Sequence, residues 1–397
     1  MSDARCPHGT GRRPRFELAD IVHAHREELD RCQPPSPEQD RVLRDIARCR
    51  TAELGGHVDQ CAHCGFERPA YNSCRNRHCP KCQALAQHRW LERRLERVLP
   101  THHFHVVFTV PSELHSLCRR HPAALYDLLF ASATDTLLAL GRDPKWLGAQ
   151  LGITAILHTW TRDLRFHPHL HTVVTGGGLA PDGERWIATP RDFLFPVYVA
   201  GALFRGKLLA SLQHLFRTGE LAPPDDCRQL LDRLYRQRWV VYSKPPFGGP
   251  EHVFRYLGRY THRIAISNHR LLDVGLDHVT FATKHGAKTT LPPVDFLRRF
   301  RQHVMPPGYV RIRHYGLLAS RNVATKLAAA RSLLNRGRLS VRRRLRRRHT
   351  DDWRALMLAL TGIELRLCPR CQGHTLRRLP LAAARSPPTP HAVRCAG

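Results

Sequence analysis

The stretch FHPHLHTVV, residues 166–174, carries His167, His169 and His171 on alternate positions of a run that otherwise reads as a buried strand. Residues two apart in a strand share a face, so His169 and His171 direct both imidazoles into one cleft while Leu170 points into the core. Two imidazoles at that separation can share a divalent metal. Pro168 marks the start of the strand and turns His167 aside, which leaves it in a supporting role. Accident is the competing reading, because the chain holds 27 histidines. The binuclear zinc hydrolase pattern H-x-H-x-D-H does not continue here, since Val173 and Val174 occupy the Asp and His positions.

Tyr256 and Tyr260, in FRYLGRYTHR, are four residues apart and stack on one face of a helix, flanked by Arg255, Arg259 and Arg263. A phenol titrates near 10 and is a poor nucleophile unless cations lower the cost of the phenolate. Two core aromatics at helical spacing are the plainer reading of the same pair. GALFRGKL matches most of a phosphate-binding loop, but Leu208 replaces the required hydroxyl and the setting reads as an amphipathic helix. No nucleoside triphosphate is therefore expected.

Of thirteen cysteines, five lie between Cys61 and Cys82. CAHCGFERPAYNSCRNRHCPKC contains two C-x2-C knuckles separated by fourteen residues, a spacing that places four thiolates around one Zn²⁺. Cys61, Cys64, Cys79 and Cys82 are the expected ligands, with Cys74 and His78 as spare donors. Arg75, Arg77, Lys81 and Arg89 surround the cluster, so a closed structural zinc site serving DNA binding is expected. Cys368 and Cys371 form half of another knuckle, which His374 with His391 or Cys395 could complete.

Elements that could position these groups follow from periodicity. FELADIVHAHREEL and DRVLRDIARC have helical spacing, split by QPPSP, and QALAQHRWLERRLERVL resumes a basic amphipathic helix up to Pro100. From HHFHVVFTVP the period becomes two, with Phe104, Val106, Phe108 and Val110 on one face. A helix over AALYDLLFASATDTLLAL, a strand over ITAILHTW, a helical insertion near 196–235 and a strand at RWVVYS follow. The fold class is α+β. Expected domains are a helical zinc-binding, DNA-binding module over 1–100, a catalytic sheet domain over 101–330, a basic segment with the CPRC knuckle over 331–379, and a disordered tail over 380–397.

The formal net charge is +30, and 56 of the 63 basic residues are Arg. Guanidinium forks match phosphate oxygens, so the expected partner is nucleic acid. No apolar run reads as membrane-spanning and the first residues lack the apolar core of a signal peptide, so a cytoplasmic, DNA-associated protein without a membrane partner is expected.

Together these blocks resemble a known family. NSCRNRHCPKCQ, HVVFTVP, HTWTRDLRFHPHLHTVVTGGGL, YLGRYTHRIAIS and VRIRHYGLLAS look like the blocks, in order, of the two-tyrosine insertion-sequence transposases. These are a rolling-circle branch of the HUH endonuclease superfamily, and the resemblance covers roughly residues 20–372. It implies a central antiparallel sheet flanked by helices, with HLH on a middle strand as the HUH motif. His169 and His171 would then hold Mg²⁺ or Mn²⁺, and Tyr256 and Tyr260 would be nucleophiles on single-stranded DNA at element ends, through a 5′-phosphotyrosine. The third metal ligand stays open among His252, Glu113 and His158. Two other functions compete: an HUH replication initiator or relaxase, and a zinc-dependent DNA-binding regulator without catalysis. The oligomeric state, the cleaved sequence and the order of the tyrosines are not legible.

Overall fold

The computed structural model describes residues 14–82, 84–244, 264–284, 286–335, 354–355, 357–358 and 364–384. Their strands are β1 (Gly56–Cys61), β2 (Glu67–Tyr71), β3 (His103–Thr109), β4 (Gln150–Trp160), β5 (Phe166–Leu179), β6 (Trp186–Ala188), β7 (Val241–Lys244), β8 (Leu271–Val274), β9 (Val279–Ala282), β10 (Lys288–Leu291), β11 (Ile312–Gly316) and β12 (Leu376–Leu381). All pairings are antiparallel. The main sheet runs in the order β11-β4-β5-β3-β7, with β6 also paired to β5, and two three-stranded sheets run β12-β1-β2 and β10-β9-β8. The histidine strand β5 is thus the middle of five, and the fold is α+β as expected.

Alternation decides the two faces of the main sheet. Phe104, Val106 and Phe108 of β3, Ile153, Ala155 and Leu157 of β4, and Leu170 and Val174 of β5 belong to one buried core. The helices Pro122–Arg142 and Val197–Arg217 pack against the sheet, the latter bringing Phe204 edge-on to Phe108 at 5.0 Å. Each such side chain contributes about 2 kcal/mol by leaving water. On the opposite face Ile156 and Val173 pack under Trp90, Leu91 and Leu95 of the helix Ala84–Leu95. That helix is also tied to β11, where Arg94 donates to His314 Nε2 at 2.7 Å. The remainder of this second face carries the histidines.

The helix Pro122–Arg142 corrects the expectation that no run is long and apolar enough to span a membrane, because by length and composition it qualifies. It serves as a core helix: Leu125, Leu129, Phe130, Ala133 and Leu137 are buried in the protein. Two of its buried hydroxyls are satisfied within the helix, Thr134 donating to the Phe130 carbonyl and Thr136 to that of Ser132, both at 2.7 Å. GALFRGKL lies in the middle of the helix Val197–Arg217, which leaves no strand-loop-helix to cradle phosphate.

Two helices open the described chain, Leu18–Cys32 and Pro37–Arg48. Ser36 caps the second, accepting from Gln39 N at 3.3 Å, with Pro37 at the first helical position. Fully buried Arg301, in the helix Pro293–Arg301, donates to Asp30 Oδ1 at 3.0 Å and to the Gln33 carbonyl at 2.7 Å, and so fastens the first helix to the rest of the protein. The N-terminal region is not only helical, since β1 and β2 form a hairpin in it. Nor is the CPRC segment a separate unit: β12 pairs with β1 over six positions, from Gly56 opposite Leu381 to Cys61 opposite Leu376. Periodicity failed here because β2 and β12 are half-exposed and carry no apolar alternation.

Candidate metal centres and active site

Strand pairing assembles the histidine site. On β5, His169 lies opposite His158 of β4, and His171 lies opposite Ile156 of β4 and Val107 of β3. His105, two residues before Val107, shares that face. The Nε2 atoms of His169 and His171 are 3.0 Å apart. His169 Nδ1 donates to the His167 carbonyl at 2.7 Å, which leaves its Nε2 as a lone pair. His171 Nδ1 and His105 Nε2 are 2.8 Å apart, and with Nδ1 as donor the second Nε2 is a lone pair too. Two lone pairs facing each other repel unless a cation lies between them. Ligands in cis positions of an octahedron with bonds of about 2.1 Å sit about 3.0 Å apart, so the pair fits a hard divalent ion.

His158 joins the cluster, its ligand atom within 4.8 Å of those of His169 and His171. Burial lowers all three: His169 to about 4, and His158 and His171 well below the usual imidazole value. Neutral imidazoles are the form that ligates. Of the two described groups left open as third ligand, Glu113 and His158, His158 is the one brought to the pair. Glu113 is exposed and bonded to Ser112, and His252 lies outside the described residues. His167 contributes through its backbone carbonyl. Tyr256, Tyr260, Arg255, Arg259 and Arg263 also lie outside the described residues.

The cysteines group differently from the sequence expectation. Cys61, Cys64, Cys79 and Cys82 do not form one site. Cys79 and Cys82 join Cys49 and Cys74, whereas Cys61 and Cys64 join Cys368 and Cys371, and in each quartet every sulfur lies within 4.8 Å of the others. The two knuckles sit on different elements: Cys61 ends β1 and Cys64 follows in the hairpin turn, while Cys79 and Cys82 precede the helix Ala84–Leu95. Cys74 is a full member of its quartet, with its Sγ 3.7 Å from that of Cys82. A tetrahedral ion with bonds of about 2.3 Å requires sulfurs about 3.8 Å apart. Cys49 is drawn well below the ordinary thiol range by its hydrogen bond with Cys74, then by those with Cys79 and Cys82. Cys49 had escaped sequence reasoning because it has no knuckle partner and ends a helix 25 residues before Cys74.

His78 is not a spare donor. Its Nε2 accepts from Met305 N at 3.1 Å, its Nδ1 lies 2.9 Å from Asn76 Oδ1, and burial pushes it down to about 3. His374 is exposed, and Cys61 and Cys64 take the places proposed for it and a further donor; His391 and Cys395 lie outside the described residues. Among the basic residues beside the cluster, Arg75 is exposed. Arg77 instead donates to the Tyr309 carbonyl at 2.5 Å, and Lys81 pairs with Glu17 and reaches the Cys49 carbonyl, so both hold the module together.

Two family models match the chain. Residues 21–110 match the family model described as "Transposase zinc-binding domain", and residues 152–326 match the one described as "Putative transposase". The chain is 45% identical over 372 residues to "Putative transposase y4qJ" of Sinorhizobium fredii (strain NBRC 101917 / NGR234), covering 89% of this chain and 92% of the relative. It is 30% identical over 308 residues to "Transposase for insertion sequence element IS801" of Pseudomonas savastanoi pv. phaseolicola, covering 72% and 71%. No solved structure gives a significant match. The first family model spans the quartet Cys49, Cys74, Cys79 and Cys82, and the second spans the histidine strand and its neighbour β4. The chain belongs to the IS91 family of insertion-sequence transposases, DNA-acting proteins that carry a zinc-binding domain ahead of the transposase domain.

Proposed function

We propose that this transposase cleaves and rejoins single-stranded DNA at the ends of its element through a 5′-phosphotyrosine intermediate, as rolling-circle transposition requires. The observation that carries the reading is the 3.0 Å approach of His169 Nε2 to His171 Nε2, with His158 beside them on the next strand. These three residues would hold Mg²⁺ or Mn²⁺, and His105 keeps His171 turned toward the site. When bound, the ion supplies electrostatic stabilisation of the charge that develops on a scissile phosphate.

Tyr256 or Tyr260 attacks the phosphorus as a phenolate. The new bond joins the tyrosine oxygen to the 5′-phosphate, the bond to the 3′-oxygen breaks, and that oxygen leaves as a free 3′-OH after taking a proton. The phosphotyrosine conserves the phosphodiester energy, so rejoining by attack of a 3′-OH needs no nucleoside triphosphate. The second tyrosine allows a second strand to be cut before the first link is resolved. Arg255, Arg259 and Arg263 supply charge along the DNA backbone, and Arg75 does so from the zinc module.

The test is strand specificity and metal dependence of cleavage. Labelled single strands and duplexes from both element ends are incubated with the full chain and Mg²⁺ or Mn²⁺. Cleavage of one single strand, abolished by chelation and by His169→Ala, is expected. Cleavage of duplex alone would contradict the single-strand specificity, and binding without cleavage would favour the regulator.

A further inference from the structure

The quartet of Cys61, Cys64, Cys368 and Cys371 draws two ligands from the start of the chain and two from near its end, about 300 residues apart in sequence. Only the first two fall within residues 21–110, the stretch that matches the zinc-binding model. Its geometry is that of a tetrahedral thiolate site. Cys61 Sγ lies 3.6 Å from Cys371 Sγ, and Cys64 Sγ lies 3.6 Å from Cys368 Sγ. These separations are far longer than the ~2.05 Å of a disulfide and match sulfurs around one zinc ion. The backbone closes both knuckles: Gly65 N donates to the Cys61 carbonyl at 3.0 Å and Gln372 N to the Cys368 carbonyl at 2.8 Å.

We propose that these four thiolates bind a second structural Zn²⁺, and that this ion is a clasp locking the C-terminal strand onto the N-terminal hairpin. A second contact on the same strands shows that the docking is built in. Buried Asp59, in the middle of β1, accepts from Arg68 of β2 at 3.1 Å and from Arg378 of β12 at 2.9 Å. The ion pair thus holds β12 within its six-residue register with β1, and the quartet holds the segment just ahead of β12.

Residues 342–348, RRRLRRR, lie in the chain between the helix Lys326–Asn335 and the CPRC knuckle. That helix packs at the end of the main sheet, where Leu327 and Ala330 share a buried cluster with Leu179 of β5 and Leu317. The clasp thus anchors the chain beyond the run, as the main sheet anchors the helix before it. Cross-linking such distant points of the chain restricts the unfolded state, so losing the ion should loosen the fold.

Metal content and thiol protection test the proposal on the full-length, reduced protein. Elemental analysis is expected to give two zinc ions per chain in the wild type and one in Cys368→Ser/Cys371→Ser. Alkylation read by mass spectrometry is a second readout that needs no variant. Exposed Cys32 should react at once, whereas Cys61, Cys64, Cys368 and Cys371 should be protected and become reactive together when zinc is chelated. One zinc in the wild type, two retained in the double variant, or Cys368 and Cys371 reacting as fast as Cys32 in the zinc-loaded protein would each overturn the clasp. So would an iron–sulfur absorbance or a disulfide mass in place of zinc. Neither readout depends on cleavage, so failure of the clasp and failure of the tyrosine mechanism are distinguishable.

Discussion

His169 and His171 differ in how their rings are held, and the difference gives separate expectations. The Nδ1 of His169 is fixed by a backbone carbonyl, which no side-chain substitution removes, whereas that of His171 depends on the side chain of His105. His105→Ala should therefore weaken divalent-ion affinity by about 10–100-fold, the usual effect of removing an outer partner, and high Mn²⁺ should restore cleavage. His171→Ala should not be rescued. Titrating cleavage rate against Mn²⁺ distinguishes them, and an unchanged metal midpoint in His105→Ala would argue against the positioning role. The HLH pair was legible in sequence because a strand's period places both rings on one face. His105 was not, because its approach to His171 is set by the register of β3 on β5. Cys49 was invisible for a similar reason, since its quartet is closed by the fold and not by spacing.

At the scale of elements, the helices of the first 50 residues and the strands β3, β4, β5 and β7 followed from periodicity, since each has a strongly apolar face. The hairpin β1–β2 and strand β12 did not, because ion pairs and sulfurs hold them in place of apolar burial. The two C-x2-C knuckles looked like one site for want of that information. The junction at Arg301 was equally hidden, as a single charged residue in the basic helix PVDFLRRFR. Removing its side chain leaves the Gln33 carbonyl without its donor and takes one partner from Asp30, which Arg26 still bonds. Arg301→Ala is expected to lower unfolding free energy by about 2–4 kcal/mol in urea titrations. A loss below about 0.5 kcal/mol would mean that the first helix does not depend on this contact.

For the whole molecule, a formal charge of +30 makes DNA binding strongly dependent on salt. Acid should weaken the fold as well. His103 and His303 are buried and lowered to about 4 by burial. His303 is held neutral, its Nε2 donating to the Leu164 carbonyl at 3.1 Å and its Nδ1 3.2 Å from the Thr159 hydroxyl. Unfolded histidine takes up a proton near 6.5, so between pH 6.5 and 4 the unfolded chain binds more protons than the folded one. The stability these residues contribute is complete above pH 6.5 and is lost as the pH falls toward 4. Denaturant midpoints across that range should fall less steeply in His303→Gln than in the wild type, and parallel slopes would contradict the assignment.

The central claim is a covalent tyrosine–DNA link made at a site organised by His169 and His171. Its most direct measurement is a denaturing gel of full-length protein with a 3′-labelled single strand of the element end and Mn²⁺, followed by mass spectrometry of the linked peptide. The account predicts a metal-dependent adduct on Tyr256 or Tyr260, absent in His169→Ala and in Tyr256→Phe/Tyr260→Phe. Cleavage of the strand by wild-type protein with no adduct, or an adduct on another residue, would contradict it.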